Sequence, residues 1–414
     1  MTTDHQRTFP ADFLWGASTA AHQIEGSNVN SDCWVMEHVQ PSMFVEPSGD
    51  AADSLHRWPD DLDLAQALGL NTYRFSLEWA RIEPEEGHFS NAMLDYYQAI
   101  IAGCHARGLK PVVTFNHFSL PRWFAADAAW LNPHAPRRFA RYCERAARHL
   151  GQGISHALTF NEPNIMNILS VLLPPHMFDT QRAMLEAAAR ATASAKFIGG
   201  NAVNPEDMAG NTAGLVASHK AARAAIKTVQ PELPVGLSLA MFDDQAAGEH
   251  SIRDALRDMF YQPWLDTVRG HDDFFGVQNY ERHIWGESGK LPAPEGSDRA
   301  HLGGEVYPPS LANAVRYAHA MTGLPILVTE HGVGSSDDGM RARLIPAALA
   351  ELKRAIDEGV PVKGYCHWSL LDNFEWIFGY KVKFGLHSVD PVSFVRTAKP
   401  SAGVYAAIVK NNAL

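Results

Sequence analysis

The sequence predicts an α/β fold: a single (β/α)8 TIM barrel with elaborated loops after its strands. Eight short apolar, β-rich runs recur along the 414 residues, and amphipathic Ala-, Arg- and Glu-containing segments lie between them. No Pro/Ser-rich linker, composition break or short repeat divides the chain, so one domain over residues 1–414 is expected. Strand alternating with helix argues for a parallel sheet. Eight such units in a chain of this length favour a closed barrel over an open doubly wound sheet.

The runs read as strands are 13–20, 72–79, 111–117, 156–162, 235–241, 274–280, 325–330 and 362–370. Each is dense in β-branched and aromatic residues, as in Val112-Val113-Thr114-Phe115 or Ile326-Leu327-Val328-Thr329. Helical spacing of apolar residues marks 60–68, 93–107, 140–150, 213–229 and 340–357.

Composition narrows the function. Forty-six acidic against 35 basic side chains give a net charge of −11, with 46% hydrophobic and 20% charged residues. That acidity repels phosphate backbones and anionic lipid, which disfavours nucleic-acid and membrane-surface roles. No run reaches the ~18 apolar residues of a membrane span. Residues 1–9 are polar and lack a signal peptide's apolar core, so a cytoplasmic protein is expected. Cys33, Cys104, Cys143 and Cys366 show no paired spacing, and neither a disulfide framework nor a metal site is expected.

Several strands end in polar or ionisable groups: His117, Glu162 and Glu330. The carboxyl ends of barrel strands open onto the face where substrate sites form. A single glutamate there reads as an exposed loop residue, but two in the same context point towards chemistry. Pro163 is expected to hold Glu162 extended and to end its strand. Alternation puts Ile326, Val328 and Glu330 on one face, so Glu330 is expected to look into the barrel. The glycines of His331-Gly332-Val333-Gly334 permit a tight departure after it. Two carboxylates facing each other across a cavity can hydrolyse a glycoside, one as acid/base and one as nucleophile. Arg74, inside an apolar strand, is either a structural ion pair or the cation that keeps Glu330 ionised. Trp368 and Trp376 taken alone read as core; beside carboxylates they suit the C–H faces and hydroxyls of a sugar.

These residues resemble glycoside hydrolase family 1, the β-glucosidase/β-galactosidase family. Residues 13–20 with His22-Gln23-Ile24-Glu25-Gly26 look like its N-terminal signature. Thr159-Phe160-Asn161-Glu162-Pro163 matches its acid/base motif, and Thr329-Glu330-His331-Gly332 its nucleophile motif. Residues 368–376, from Trp368 to Trp376, match its sugar-binding segment. The motifs run in family order from residue 9 to about residue 400.

The resemblance implies a retaining exo-β-glycosidase, with Glu162 the acid/base on strand four and Glu330 the nucleophile on strand seven. It implies that Gln23, His117, Glu375 and Trp376 bind glycone hydroxyls, that Trp368 stacks beneath the ring, and that Asn161 takes the 2-hydroxyl. Arg74 and Tyr280 would hold Glu330. The expected partner is a small-molecule or oligosaccharide β-glycoside, and no cofactor has a role.

Some positions depart from the family pattern. His331 stands where asparagine is usual and faces away from Glu330 if alternation holds. Phe118 follows His117 where the family more often has tryptophan. Gln278 replaces an asparagine; Tyr280 keeps its place in an ungapped reading, whereas a one-residue shift would give its role to Asn279. The segment 164–211 looks rebuilt, and Met166, Met177 and Phe178 either line the outer pocket or pack the loop. Arg282, His283 and Trp285 are read chiefly as surface packing.

The same residues bear on several rival readings. A 6-phospho-β-glycosidase would place a phosphate near Glu375, whose carboxylate repels it despite Lys381 and Lys383 nearby. A thioglucosidase would have glutamine in place of Glu162. A non-catalytic carbohydrate-binding barrel would have lost one of the two carboxylates. A transglycosylase would use the same residues. Outside this class, no Gly-rich nucleotide loop, G-x-S-x-G elbow or H-E-x-x-H stands in the chain.

Overall fold

A computed structural model describes residues 8–414. Its centre is a closed parallel barrel of β1 (Leu14–Ser18), β2 (Thr72–Ser76), β3 (Lys110–Asn116), β4 (His156–Asn161), β5 (Val235–Ala240), β6 (Phe275–Asn279), β7 (Ile326–His331) and β8 (Val362–Trp368). Each strand pairs with its sequence neighbour, and β1 with β8 closes the ring. Every expected run forms a strand, trimmed by one to three residues at most ends.

Crossover helices cover the outside: α1 (Ser54–Ala67), α2 (Asn91–Ala106), α3 (Ala135–Leu150), α4 (Met208–Val229), α5 (Arg253–Val268), α6 (Ser310–Thr322), α7 (Asp338–Asp357) and α8 (Pro400–Asn411). Local chemistry sets several ends. Ser90 caps α2 by accepting from Met93 N, and Asp337 caps α7 by accepting from Gly339 N. The segments read from periodicity fall in α1, α2, α3, α4 and α7. Helix α5 lies outside that set because its buried stripe of Phe260, Tyr261 and Trp264 has weak helical propensity and Pro263 lies inside it.

The two faces of the barrel separate into distinct cores. Leu14, Val112, Leu158, Phe274 and Leu327 form a small apolar floor, whereas Ile326, Val328, Phe160 and Tyr365 belong to the large core under the helices. The expected grouping of Ile326 and Val328 with Glu330 is therefore corrected. Pairing between β6 and β7 steps from Val277↔Val328 to Gln278↔Glu330, so Thr329 is an extra residue. That bulge reverses the parity and turns Glu330 inward. The same happens on β4, where Leu158↔Gly236 is followed by Asn161↔Ser238. Phe160 stacks outward on Phe139 of α3, at 4.7 Å, and Asn161 turns inward.

Glu162 is also corrected: its φ is +42°, left-handed rather than extended. Glu162 N donates to Ser238 O at 2.8 Å, and the Asn164 amide bridges both polar groups of Ala240 on β5. These bonds outweigh a backbone cost of about 1–3 kcal/mol.

Gly332, just past Glu330, is required by close approach. A Cβ there would lie 2.1 Å from Trp368 O. Gly332→Ala is expected to destabilise the fold by about 1–3 kcal/mol through overpacking, read as a lower midpoint in chemical denaturation.

Candidate active site

Arg74 on β2 is fully buried inside the barrel. Its Nη1 donates to Glu330 Oε1 at 2.5 Å and to Thr329 O at 3.3 Å, and its Nη2 donates to Asn161 Oδ1 at 2.6 Å. Tyr280, just after β6, donates its hydroxyl to Glu330 Oε2 at 2.5 Å. Gln278 Nε2 lies 3.0 Å from Glu330 Oε1 and 2.7 Å from Asn161 Oδ1. Both oxygens of Glu330 are thus held by donors from β2 and the β6 end.

Glu162 has a different environment. No hydrogen bond to its carboxyl is found among the described residues, and it sits against the charge of Glu330. Burial first, and that neighbouring charge second, push its pKa well above the usual carboxylate range, with Arg74 opposing. Burial also raises Glu330, but the Arg74 charge and the Tyr280 and Arg74 hydrogen bonds oppose it. When the pair holds one proton, Glu162 carries it.

A second group of residues forms the rest of the wall. Gln23 Nε2 donates to Phe374 O at 2.9 Å and Asn373 Oδ1 at 3.1 Å, with Glu375 Oε2 at 3.4 Å. Rings of His117 and Trp368 stack at 5.7 Å, and those of His117 and Trp376 at 6.2 Å. Burial and the charge of Arg74 keep His117 neutral. Glu375 is pushed up to about 8, chiefly by burial. Gln23 Oε1, His117 Nδ1 and Glu375 Oε1 are buried without a hydrogen-bond partner among the described residues. These atoms are free to meet polar groups of a ligand.

The ten expected site residues are therefore linked. Arg74, Asn161, Tyr280 and Glu330 are joined by hydrogen bonds, Glu162 and Glu375 feel the charge of Glu330, and Gln23, His117, Trp368 and Trp376 adjoin Glu375 or one another. Gln278 is the addition, and alternation from Tyr280 along β6 carries the signal for it. Asn279 faces elsewhere, donating to Met241 O and accepting from Ser310, which removes the shifted reading. His331 turns outward to the Tyr365 hydroxyl at 3.0 Å, and burial holds it near pKa 3.

The flanking candidates have structural partners, but His283 and Trp285 are buried and not on the surface as expected. Segment 164–211 holds two further helices, Ile165–Leu172 and Pro175–Ala191, with Met166 buried and Phe178 packed on the main core. Met177 is half-buried. Arg282 pairs with Glu305 and lies 3.7 Å over the Tyr307 ring. His283 stacks on Phe242, and Trp285 donates to Asp244 at 2.7 Å.

The raised pKa of Glu162 carries a stability consequence. Above the unfolded value of 4.5, the unfolded chain ionises this group while the fold retains its proton, so stability falls with pH until the folded pKa is reached. Glu162→Gln is expected to melt like the parent at pH 4 and about 2 °C or more above it at pH 8, by calorimetry.

Comparison with known proteins agrees with the fold. The model of glycosyl hydrolase family 1 matches residues 5–225 and 265–414. The chain is 30% identical to a β-glucosidase of Agrobacterium sp., over 97% of this chain and 95% of that one. It is 29% identical to β-glucosidase A of Acetivibrio thermocellus, over 98% and 99%. Among solved structures, an apo β-glucosidase numbered 1317 superposes with a TM-score of 0.92 at 40% identity, covering 96% of this chain and 98% of that one. The β-glycosidase BGL167 superposes at 0.91 and 42% identity, covering 98% of each. With the motifs, the barrel and the matched residues in agreement, the chain belongs to glycosyl hydrolase family 1.

Proposed function

We propose that this glycoside hydrolase is a retaining exo-β-glycosidase that releases a terminal β-D-glucosyl, galactosyl or fucosyl unit, with Glu330 as nucleophile and Glu162 as acid/base. The observation that carries this reading is the asymmetry of the two carboxyls. Glu330 accepts from Arg74, Gln278 and Tyr280, while no hydrogen bond to the Glu162 carboxyl is found among the described residues.

The steps follow from that asymmetry. Glu162 gives its proton to the glycosidic oxygen as a Glu330 oxygen bonds to the anomeric carbon and the aglycone leaves. The ester removes the charge of Glu330, so the pKa of Glu162 falls. Glu162 then takes a proton from water, whose oxygen attacks the anomeric carbon and displaces Glu330. Two displacements restore the original configuration. This course calls for the carboxyls about 5–5.5 Å apart.

On this reading Gln23, His117, Glu375 and Trp376 take the sugar's outer hydroxyls, Trp368 lies under the ring, and Asn161 takes the 2-hydroxyl. A 6-phosphate would enter beside the buried Glu375 carboxyl, which disfavours a 6-phosphoglycoside.

Glu330→Ala is expected to lose at least about 10⁴-fold in kcat and to be rescued by azide as the α-glycosyl azide. A β-azide, or no rescue, removes the nucleophile assignment. Glu162→Ala is expected to keep the first step on p-nitrophenyl glycosides and lose it on poor leaving groups, with a β-azide product. Equal losses on both removes the acid/base role. For the parent enzyme, proton NMR of the first-formed sugar is expected to show the β anomer, and a p-nitrophenyl panel no activity on the 6-phosphoglucoside.

A further inference from the structure

Gln278 on β6 reaches across the intervening strand β5 to a residue of β4. Its Nε2 lies 2.7 Å from Asn161 Oδ1, 3.0 Å from Glu330 Oε1 and 3.2 Å from Ser238 Oγ. Strands two apart are separated by about 9–10 Å in a sheet, so the contact needs a long side chain at 278 and a small one between. Ser238 of β5 is that small residue, and its hydroxyl is turned towards Phe160 O at 3.3 Å. The orientation of the Gln278 amide is determined by its neighbours. Turned over, its oxygen would face two acceptors, Asn161 Oδ1 and Glu330 Oε1. In the orientation found, Gln278 Oε1 is buried without a partner, a cost accepted so that the N–H groups meet both acceptors.

This fixes Asn161 in turn. Its Oδ1 receives the Arg74 guanidinium at 2.6 Å and the Gln278 amide at 2.7 Å, which leaves Nδ2 with no partner among the described residues. We propose that Gln278 is a positioning residue that couples Asn161 to Glu330, so that Asn161 Nδ2 is presented as a donor to the sugar's 2-hydroxyl while Glu330 is held for attack. The proposal rests on the glycosidase reading above. It adds that the side chain at 278 controls how much of the 2-hydroxyl contact is realised in the transition state.

The test is a double-variant cycle on the full-length enzyme. Gln278→Met, which keeps the length and removes the donors, is combined with Asn161→Ala, and kcat and KM are measured with p-nitrophenyl β-glucoside and its 2-deoxy analogue. Gln278→Met is expected to lower kcat on the glucoside by about 10–100-fold, with KM within about threefold. The loss on the 2-deoxy substrate is expected to be at least about fivefold smaller, and the double variant to fall within about threefold of Asn161→Ala alone. Losing a donor to Glu330 also moves the acid limb of the pH profile upward. Should Gln278→Met not fold, Gln278→Leu carries the same cycle, because it too removes the amide donors to Asn161 and Glu330. Equal losses on both substrates with additive variants, or an unchanged kcat, overturn the proposal. A parent enzyme inactive on every glycoside instead sinks the glycosidase reading, so the two failures are distinguishable.

Discussion

A guanidinium sealed inside the barrel is the constraint around which the site is arranged. Arg74 has no access to water, so its charge must be met by protein groups or the fold would not tolerate it. Those groups come from two distant strands: Glu330 and the Thr329 carbonyl from β7, and Asn161 from β4. One cation therefore ties the ends of β2, β4 and β7 into a single geometry. It also sets the electrical asymmetry of the carboxyls, since hydrogen bonds favour the charged form of Glu330 and none acts on Glu162.

The backbone supplies the second condition. A regular strand would send Asn161 or Glu330 towards the helices, given that Leu158 and Leu327 fill the floor. One extra residue on each of β4 and β7 changes the parity after the floor is built. The floor can then remain apolar while the rim above it is ionisable. The left-handed turn at Glu162 belongs to the same solution, with its N–H spent on Ser238 and Asn164 bridging to Ala240.

The remaining wall has a different logic. Gln23 and the loop after β8 hold one another through backbone and amide bonds, and Asp372 fastens that loop by accepting from Gly385 N and Lys399 Nζ. This rigidity leaves polar atoms of Gln23, His117 and Glu375 facing inward without protein partners. A hydroxyl-rich ligand supplies what they lack, which accords with a glycoside-hydrolysing family. Ring stacking of His117 with both tryptophans keeps that wall flat.

Much of this was legible in the chain. The recurrence of apolar runs and amphipathic segments pointed to a parallel sheet wrapped by helices, because each run can bury both faces there, and the count of eight favoured closure into a barrel. The motifs at 159–163 and 329–332 marked the two carboxylates at strand ends, since a buried charge without a partner is costly and the strand ends open onto the face where substrate sites form. Tertiary structure alone decided which way these residues point. Bulges at β4 and β7 depend on the register of neighbouring strands, a non-local quantity that alternation within one strand does not contain. The same holds for Gln278, whose length matters only because Ser238 lies between it and Asn161. Its partners are 40 and 117 positions away in sequence, and only closure of the barrel brings them within hydrogen-bond reach.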